Sequence, residues 1–304
     1  MKSLPFDMPG RFFRGNIHMH SNRSDGALSV DDTVAMYRDN GYDFISLTDH
    51  FLEKFDYPIT DTRQYRTADF TTLIGAELHA PALENGTIWH LVGVGLPDDF
   101  APPADGETGP GIAKRAWDTG AFVGMAHPSW YSMTMNDMRS VQHAHAIEVF
   151  NQASHVSGER GDSWQITDQV LAEGRRLSTY GTDDSHLRDN LPDKFGAWTM
   201  VKATDLEPEA LTDSLKAGHY YSSQGPLIHH IALNSDNSAI EISCSPASAV
   251  KVLGKGPLYT YEHGAGLSQS TLSIEHISSK SPFCRVVVVD AAGKRAWSNP
   301  IWFD

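Results

Sequence analysis

The chain has 304 residues, 40% hydrophobic and 20% charged, with 24 basic against 38 acidic side chains and a formal net charge of -14. That composition excludes disorder and leaves room for one large α/β domain, or a medium domain with a smaller one. The acidic balance argues against a nucleic-acid polymer as partner, because phosphate backbones recruit Lys and Arg. No apolar run approaches the roughly 18 residues that span a bilayer. Residues 1–14 lack the apolar core of a signal peptide, so the expected location is the cytoplasm, away from any membrane. Two cysteines, Cys244 and Cys284, make neither a disulfide framework nor a Cys-rich zinc site and read as small core residues.

From the N-terminus, Phe12 to His20 reads as a strand. Ser29 is placed to cap a helix that carries Asp31 and Asp32 in its first turn and stops at Asn40-Gly41. Asp43 to His50 and Leu73 to His79 are the next strands. Glu84-Asn85-Gly86 signals a turn into a strand from Trp89 to Leu96, which suggests a hairpin. A Pro/Gly/Asp-rich loop, 97–110, precedes a helix over Gly111 to Asp118. Ala121 to His127 and His145 to Asn151 are strands, Trp164 to Gly174 a helix with a glycine stop, and Leu177 to Gly181 a strand. Phe195 to Ala203 is a further strand and Glu207 to Ala217 a further helix. This alternation predicts a parallel sheet or barrel up to about residue 223.

Beyond Gln224 the pattern changes. Leu227 to Leu233, Ala239 to Cys244, Val250 to Leu253, Leu272 to His276, Cys284 to Val289 and Pro300 to Phe303 read as strands, with no good helix among them. Residues 224–304 are therefore expected to form a small all-β, sandwich-like domain.

The 15 histidines are an unusually rich complement, and their positions matter more than their number. His18 and His20 lie two apart on a strand and so share a face. Asp25 follows in a loop able to turn back on them. His50, Glu77 and His127 each close a predicted strand, and Asp184 and His186, again two apart, follow another. Functional groups of β/α barrels gather where strands meet the loops of the C-terminal face. His79 shares a face with Glu77, which suits either a substrate contact or a structural role. His155 is a candidate acid or substrate ligand beyond a strand end. His143, His145, His219, His229, His230, His263 and His276 read as solvated or packed side chains.

The sequence resembles the polymerase and histidinol phosphatase (PHP) family of metal-dependent hydrolases. The matching motifs are HMHSNRSDG at 18–26, LTDH at 47–50, GAE at 75–77, HLVGVGL at 90–96, AHP at 126–128, IEVFN at 147–151 and GTDDSH at 181–186. They occur in the family's order over roughly residues 12–223. Residues 219–230 and 285–303 are similar to the carbaryl-hydrolase-like branch, in which a β domain follows the PHP barrel. The resemblance implies a distorted, TIM-like (β/α)7 barrel over residues 1–223, binding two or three divalent cations: manganese, iron or zinc. Carried over by motif, the ligands are His18, His20, Asp25, His50, Glu77, His90, His127, Asp184 and His186. His90 rests on the loosest match, Glu77 is the natural bridge, and Glu77, Asp184 and His186 are assigned to catalysis. The family's Asp-x-His pattern selects Asp184 rather than Asp183, which is expected to support the ligands from behind.

The resemblance implies hydrolysis of a small phosphomonoester or phosphodiester by a metal-activated hydroxide at a di- or trinuclear site. Arg23, His155, Arg160 and Lys194 are candidate substrate contacts. Hydrolysis of carboxylic or carbamate esters is the alternative, with Trp130, Tyr131 and Trp164 as candidate pocket walls. A metal-binding module without turnover is a third reading, disfavoured by the complete ligand set. The substrate is expected to be a small, anionic molecule. The sequence does not fix the oligomeric state.

Overall fold

A computed structural model describes residues 4–303. The expected alternation leads it. Strand β1 (Arg11–Asn16) is followed by α1 (Val30–Asp39), β2 (Phe44–Leu47), the two-residue β3 (His50–Phe51) and β4 (Thr71–Ala80). Ser29 caps α1 by accepting from the Asp32 amide, while Val34 and Tyr37 turn into the core. Then come β5 (Trp89–Val94), α2 (Gly109–Asp118), β6 (Phe122–Met125), α3 (Met135–Ser140), β7 (Ala146–Asn151), α4 (Gln152–Gly158), α5 (Trp164–Ala172) and β8 (Ser178–Thr182). Strands β2, β4, β5, β6 and β7 are buried at every position, as expected where both faces of a sheet are covered.

Strands β1, β2, β4, β5, β6, β7 and β8 are hydrogen-bonded in that order. All neighbours are parallel except at β5, which runs antiparallel to both β4 and β6. The two ends of the run meet beyond the strands. The Asp184 amide donates to the His18 carbonyl and the His20 amide to the Ser185 carbonyl, each at 2.9 Å. The residues just past β1 and β8 are thereby held side by side.

On its other edge β1 pairs with β9 (Trp198–Ala203), and α6 (Pro208–Ala217) leads to β10 (Tyr220–Ser223), which pairs with β9. The C-terminal strands are β11 (Ile228–Leu233), β12 (Ala239–Leu253), β13 (Tyr259–Ser273), β14 (Phe283–Val289), β15 (Arg295–Ser298) and β16 (Ile301–Trp302). They surround an apolar cluster that includes Ile231, Ile242, Val252, Ile277 and Val286.

The C-terminal segment differs from expectation in four respects. It is not a detached layer, because β15 pairs with β10 and the sheet continues through β9 into β1. The two strands expected at 239–244 and 250–253 are one strand whose pairing shifts register between Ser243 and Ala249. The strand expected over Leu272–His276 is only the end, at Ser273, of a long edge strand from Tyr259, held by backbone pairing to β12 rather than by an apolar face. A short helix, α7 (Glu275–Ser278), also lies in this segment, where none was expected.

Candidate metal centre

His18 and His20 lie immediately past β1, in the strand extension that meets Asp184 and Ser185. His50 sits in β3, opposite Glu77 of β4. The reversal of β5 explains how His90, which opens its strand, reaches the same rim. Antiparallel pairing puts it opposite His79. His127 follows β6, and Asp184 and His186 follow β8. His127 and Asp184 hold positive φ values of 27° and 51°, uncommon for residues with a Cβ.

The ring nitrogens are oriented by their second partners. His18 Nδ1 lies 3.0 Å from Glu148 Oε1, leaving Nε2 at 3.2 Å from Glu77 Oε1 and 3.3 Å from Asp184 Oδ1. His20 Nε2 is 2.9 Å from Asp184 Oδ1 and 3.8 Å from Glu77 Oε2. Around Glu77 Oε1, His90 Nδ1 stands at 2.7 Å and His127 Nε2 at 3.2 Å. A third group centres on Asp25 Oδ1, with His50 Nε2 at 3.4 Å and His186 Nε2 at 3.3 Å. His186 Nδ1 faces the Asp184 carbonyl at 3.0 Å, so that nitrogen carries a proton and Nε2 is the atom turned to Asp25.

All nine residues implied as ligands thus converge in one centre, and His79 joins them beside Glu77 and His50. The buried atoms Glu77 Oε2, Asp25 Oδ1, His18 Nε2, His20 Nδ1, His90 Nε2 and His127 Nδ1 have no hydrogen-bond partner. Buried carboxylate and imidazole atoms are rarely left so. The donor set of three carboxylates and six imidazoles fits divalent cations of the manganese, iron and zinc type.

The electrostatics favour the ligand-competent form at Glu77 and His20 and the charged ring at His186. Burial works to raise the Glu77 carboxyl, but His90, His50 and His18 outweigh it and hold it well below the usual carboxylate range. Burial, with repulsion from His50 and His186, pushes His20 down to about 3 and keeps it neutral. His186 is held up at about 9 by Asp25 and Asp184, against the effect of its burial. The Tyr131 ring packs 4.5 Å from that of His90, and its hydroxyl is pushed up to about 12 by burial and by Glu77 and Asp184. It therefore remains a neutral phenol beside the centre.

Asp183 points away from the cluster and accepts from Tyr37 Oη and from the amides of Phe195, Gly196 and Ala197. Of the candidate substrate contacts, Arg23 is exposed in the loop between His20 and Asp25. His155 is exposed on α4, with its ring against Phe150. Arg160 is exposed and reaches the Trp130 carbonyl at 3.5 Å, and Lys194 is half-buried next to Asp193. None of the four is hydrogen-bonded or ion-paired to the cluster among the described residues. Arg188, which the sequence reading passed over, is exposed and bonds both the carboxylate and the carbonyl of Asp25 at 3.3 Å.

Sequence reasoning also passed over Glu148 and Asn151. Glu148 receives the His127 amide and the Asn151 side chain as well as facing His18, and Asn151 also donates to Asp184 Oδ2. A carboxylate inside an otherwise apolar buried strand was the available signal, since such groups are seldom buried without a charged or polar partner.

No family model and no curated protein sequence matches the chain. Among solved structures, it is similar to a two-domain protein from Bacteroides vulgatus containing a predicted PHP-like metal-dependent phosphoesterase. The identity is 16% and the TM-score 0.56, covering 97% of this chain and 98% of that one. At that identity the likeness is one of fold, and it extends through both parts of the chain. Weaker likenesses reach a Bifidobacterium adolescentis protein described as a candidate metal-dependent phosphoesterase, and an amidohydrolase from Chromobacterium violaceum with bound sulfate. The first has 14% identity, TM-score 0.41 and coverage of 58% and 89%; the second has 16%, 0.36 and coverage of 57% and 87%.

Proposed function

We propose that the protein is a metal-dependent phosphoesterase of the PHP family, acting on a small phosphomonoester or phosphodiester. In this reading the seven-strand run is the family's distorted (β/α)7 barrel, and residues from about 224 form its C-terminal β domain. The observation that carries it is the convergence of nine ligand-type side chains, six of which hold a buried nitrogen or oxygen with no hydrogen-bond partner. The phosphoesterase described for the Bacteroides vulgatus protein supports the choice of reaction.

His18, His20, Glu77 and Asp184 would hold one cation. Glu77, His90 and His127 would hold a second, with Glu77 as the shared ligand, and Asp25, His50 and His186 a third. When bound, the cations supply Lewis acidity to a phosphoryl oxygen and lower the proton affinity of a coordinated water. The three ligand carboxylates carry three negative charges, so two or three divalent ions leave the centre at about +1 or +3, suited to an anionic ester. Glu148 orients His18 through its Nδ1, and Asn151 fixes Asp184. Tyr131, whose ring packs against His90 and His127, would be a candidate proton donor to a leaving oxygen. The acidic surface disfavours a nucleic-acid polymer as substrate. No helix among the described residues is long and apolar enough to cross a membrane.

The carbamate or carboxylic ester reading, that of the carbaryl-hydrolase-like branch, is favoured by one feature. The rings of Phe55 and Tyr131 lie beside His50 and His90 and offer apolar contact at the centre. Initial rates on nitrophenyl phosphate and on a naphthyl carbamate, measured with chelator-stripped and metal-restored protein, separate the two. Metal-dependent turnover of the phosphate ester is expected. Preference for the carbamate would replace the first reading with the second, and a protein that binds no divalent ion would end both.

A further inference from the structure

His79 stands outside the nine-residue set, yet it is buried in the same centre. Its Nδ1 lies 3.1 Å from the Trp89 carbonyl oxygen. A carbonyl only accepts, so Nδ1 carries the proton and the neutral ring offers Nε2 as a lone pair. That lone pair meets His50 Nδ1 at 2.9 Å in a hydrogen bond. His50 Nδ1 also approaches Glu77 Oε2 at 2.5 Å, but that oxygen has no hydrogen bond in the structure. The His50 proton is therefore aimed at His79, and Glu77 Oε2 is left available. With Nδ1 engaged, His50 presents Nε2 to Asp25 Oδ1, the same oxygen that faces His186 Nε2.

We infer that His79 is a positioning residue for the cation held by Asp25, His50 and His186. It fixes His50 in the Nδ1–H tautomer through a chain running from the Trp89 carbonyl through His79 to His50. Metal-ligating histidines commonly donate their second N–H to a carboxylate, carbonyl or water. Here an imidazole takes that part, itself locked by the β5 backbone that pairs with β4. The arrangement also spares Glu77, which would otherwise accept the His50 proton on an oxygen needed for coordination. The sequence places His79 and Glu77 on one strand face, and β3 brings His50 opposite Glu77.

The inference rests on the metal-binding reading above, and the test keeps the two apart. Wild type, His79→Ala and His79→Gln would be stripped with chelator, titrated with Zn2+ and followed by ion stoichiometry and competition affinity. Circular dichroism and thermal melts would verify folding. In His79→Ala, one bound ion should lose affinity by about 10- to 100-fold, the usual effect of removing such a support, while the other ions stay near wild type. In His79→Gln, where the amide oxygen accepts from His50, affinity should be largely restored. A direct ligand role for His79 predicts no such rescue, and that result would overturn the inference. So would unchanged affinity in His79→Ala. In 15N-labelled, Zn2+-loaded wild type, an exchange-protected His50 Nδ1 proton coupled to His79 Nε2 is expected, and its absence would overturn the inference even if the alanine variant failed to fold. A wild type that binds no Zn2+ would instead remove the reading beneath.

Discussion

Asp183 and Asp184 are adjacent in sequence and opposite in situation. Asp184 faces His18, His20 and Asn151, whereas Asp183 accepts four hydrogen bonds from Tyr37 and the 195–197 backbone. Glu77→Gln preserves shape but removes the charge that His18, His90 and His127 surround. Turnover should fall at least about 100-fold, comparable to losing one major electrostatic element, with at least one ion weakly held. Asp183→Asn should chiefly cost stability. It turns an amide group toward N–H donors, at about 1–3 kcal/mol, with a smaller loss of rate. Metal content, initial rate and urea midpoint for both variants test the pair. Full activity in Glu77→Gln alongside an inactive Asp183→Asn would reverse the two roles.

The nine candidate ligands were legible because each lies in a family motif, eight of them on or just past a strand and Asp25 in the loop after β1. Glu148, Arg188 and the role of His79 were not, because their partners come from other strands or loops. Among the histidines read as packed or solvated, His145 is sandwiched between Trp117 and Phe122 and accepts the Val123 amide. Burial, with Lys216 nearby, pushes it down to about 4. The folded state therefore favours the neutral ring. That contribution is intact above the ordinary value of 6.5 and is lost as pH falls toward 4, because the unfolded chain binds the proton first. The ring is partly exposed, so screening keeps the effect modest. His145→Gln should show a shallower loss of urea midpoint between pH 7 and pH 4 than wild type does, both in chelator. Equal slopes would remove His145 from the acid response.

Elements with a strong period or a clear cap were read well, and those built by pairing were not. Helix α6 shows the first kind. Pro208 opens it, Gly218 ends it in the left-handed conformation, and Leu211 and Leu215 are buried with Phe122 and Tyr220. Leu215→Ala should destabilise by about 2–5 kcal/mol through lost transfer energy and a residual cavity. The folded fraction should keep its full metal content, because α6 contributes none of the candidate ligands. A loss of bound metal without a shift in urea midpoint would contradict that separation. Strand β13 shows the second kind. Its polar, glycine-containing sequence carries little strand signal of its own, and its register is dictated by β12. Helix α3 is short, but Thr134 and Asp137 form a reciprocal capping box that the sequence displayed and the reading missed.

At the scale of the whole molecule, composition and alternation indicated a change of architecture near residue 223 but gave no measure of how firmly the two parts are joined. The sheet runs across that point through β10 and β15. A shared apolar cluster joins Val149, Phe150 and Trp164 to Val287 and Trp297. Arg285 forms a two-pronged pair with Asp168 of α5, at 2.8 and 3.0 Å, and lies 3.7 Å over the Trp164 ring. A chain ending at 223 would leave β10 as an unpaired edge and expose Tyr221, Trp164 and Phe150. Such an edge invites aggregation, and an unpartnered apolar face destabilises what remains. Residues 1–223 alone should therefore be poorly soluble or molten, although they contain all nine candidate ligands and β14 and β15 contribute none. The full chain should unfold in urea as one transition, seen alike by tryptophan fluorescence and by circular dichroism. A soluble 1–223 fragment that melts cooperatively and binds Zn2+ with the stoichiometry of the full chain would show that the shared sheet and the Arg285–Asp168 pair are dispensable. Two separated transitions in the intact protein would point the same way.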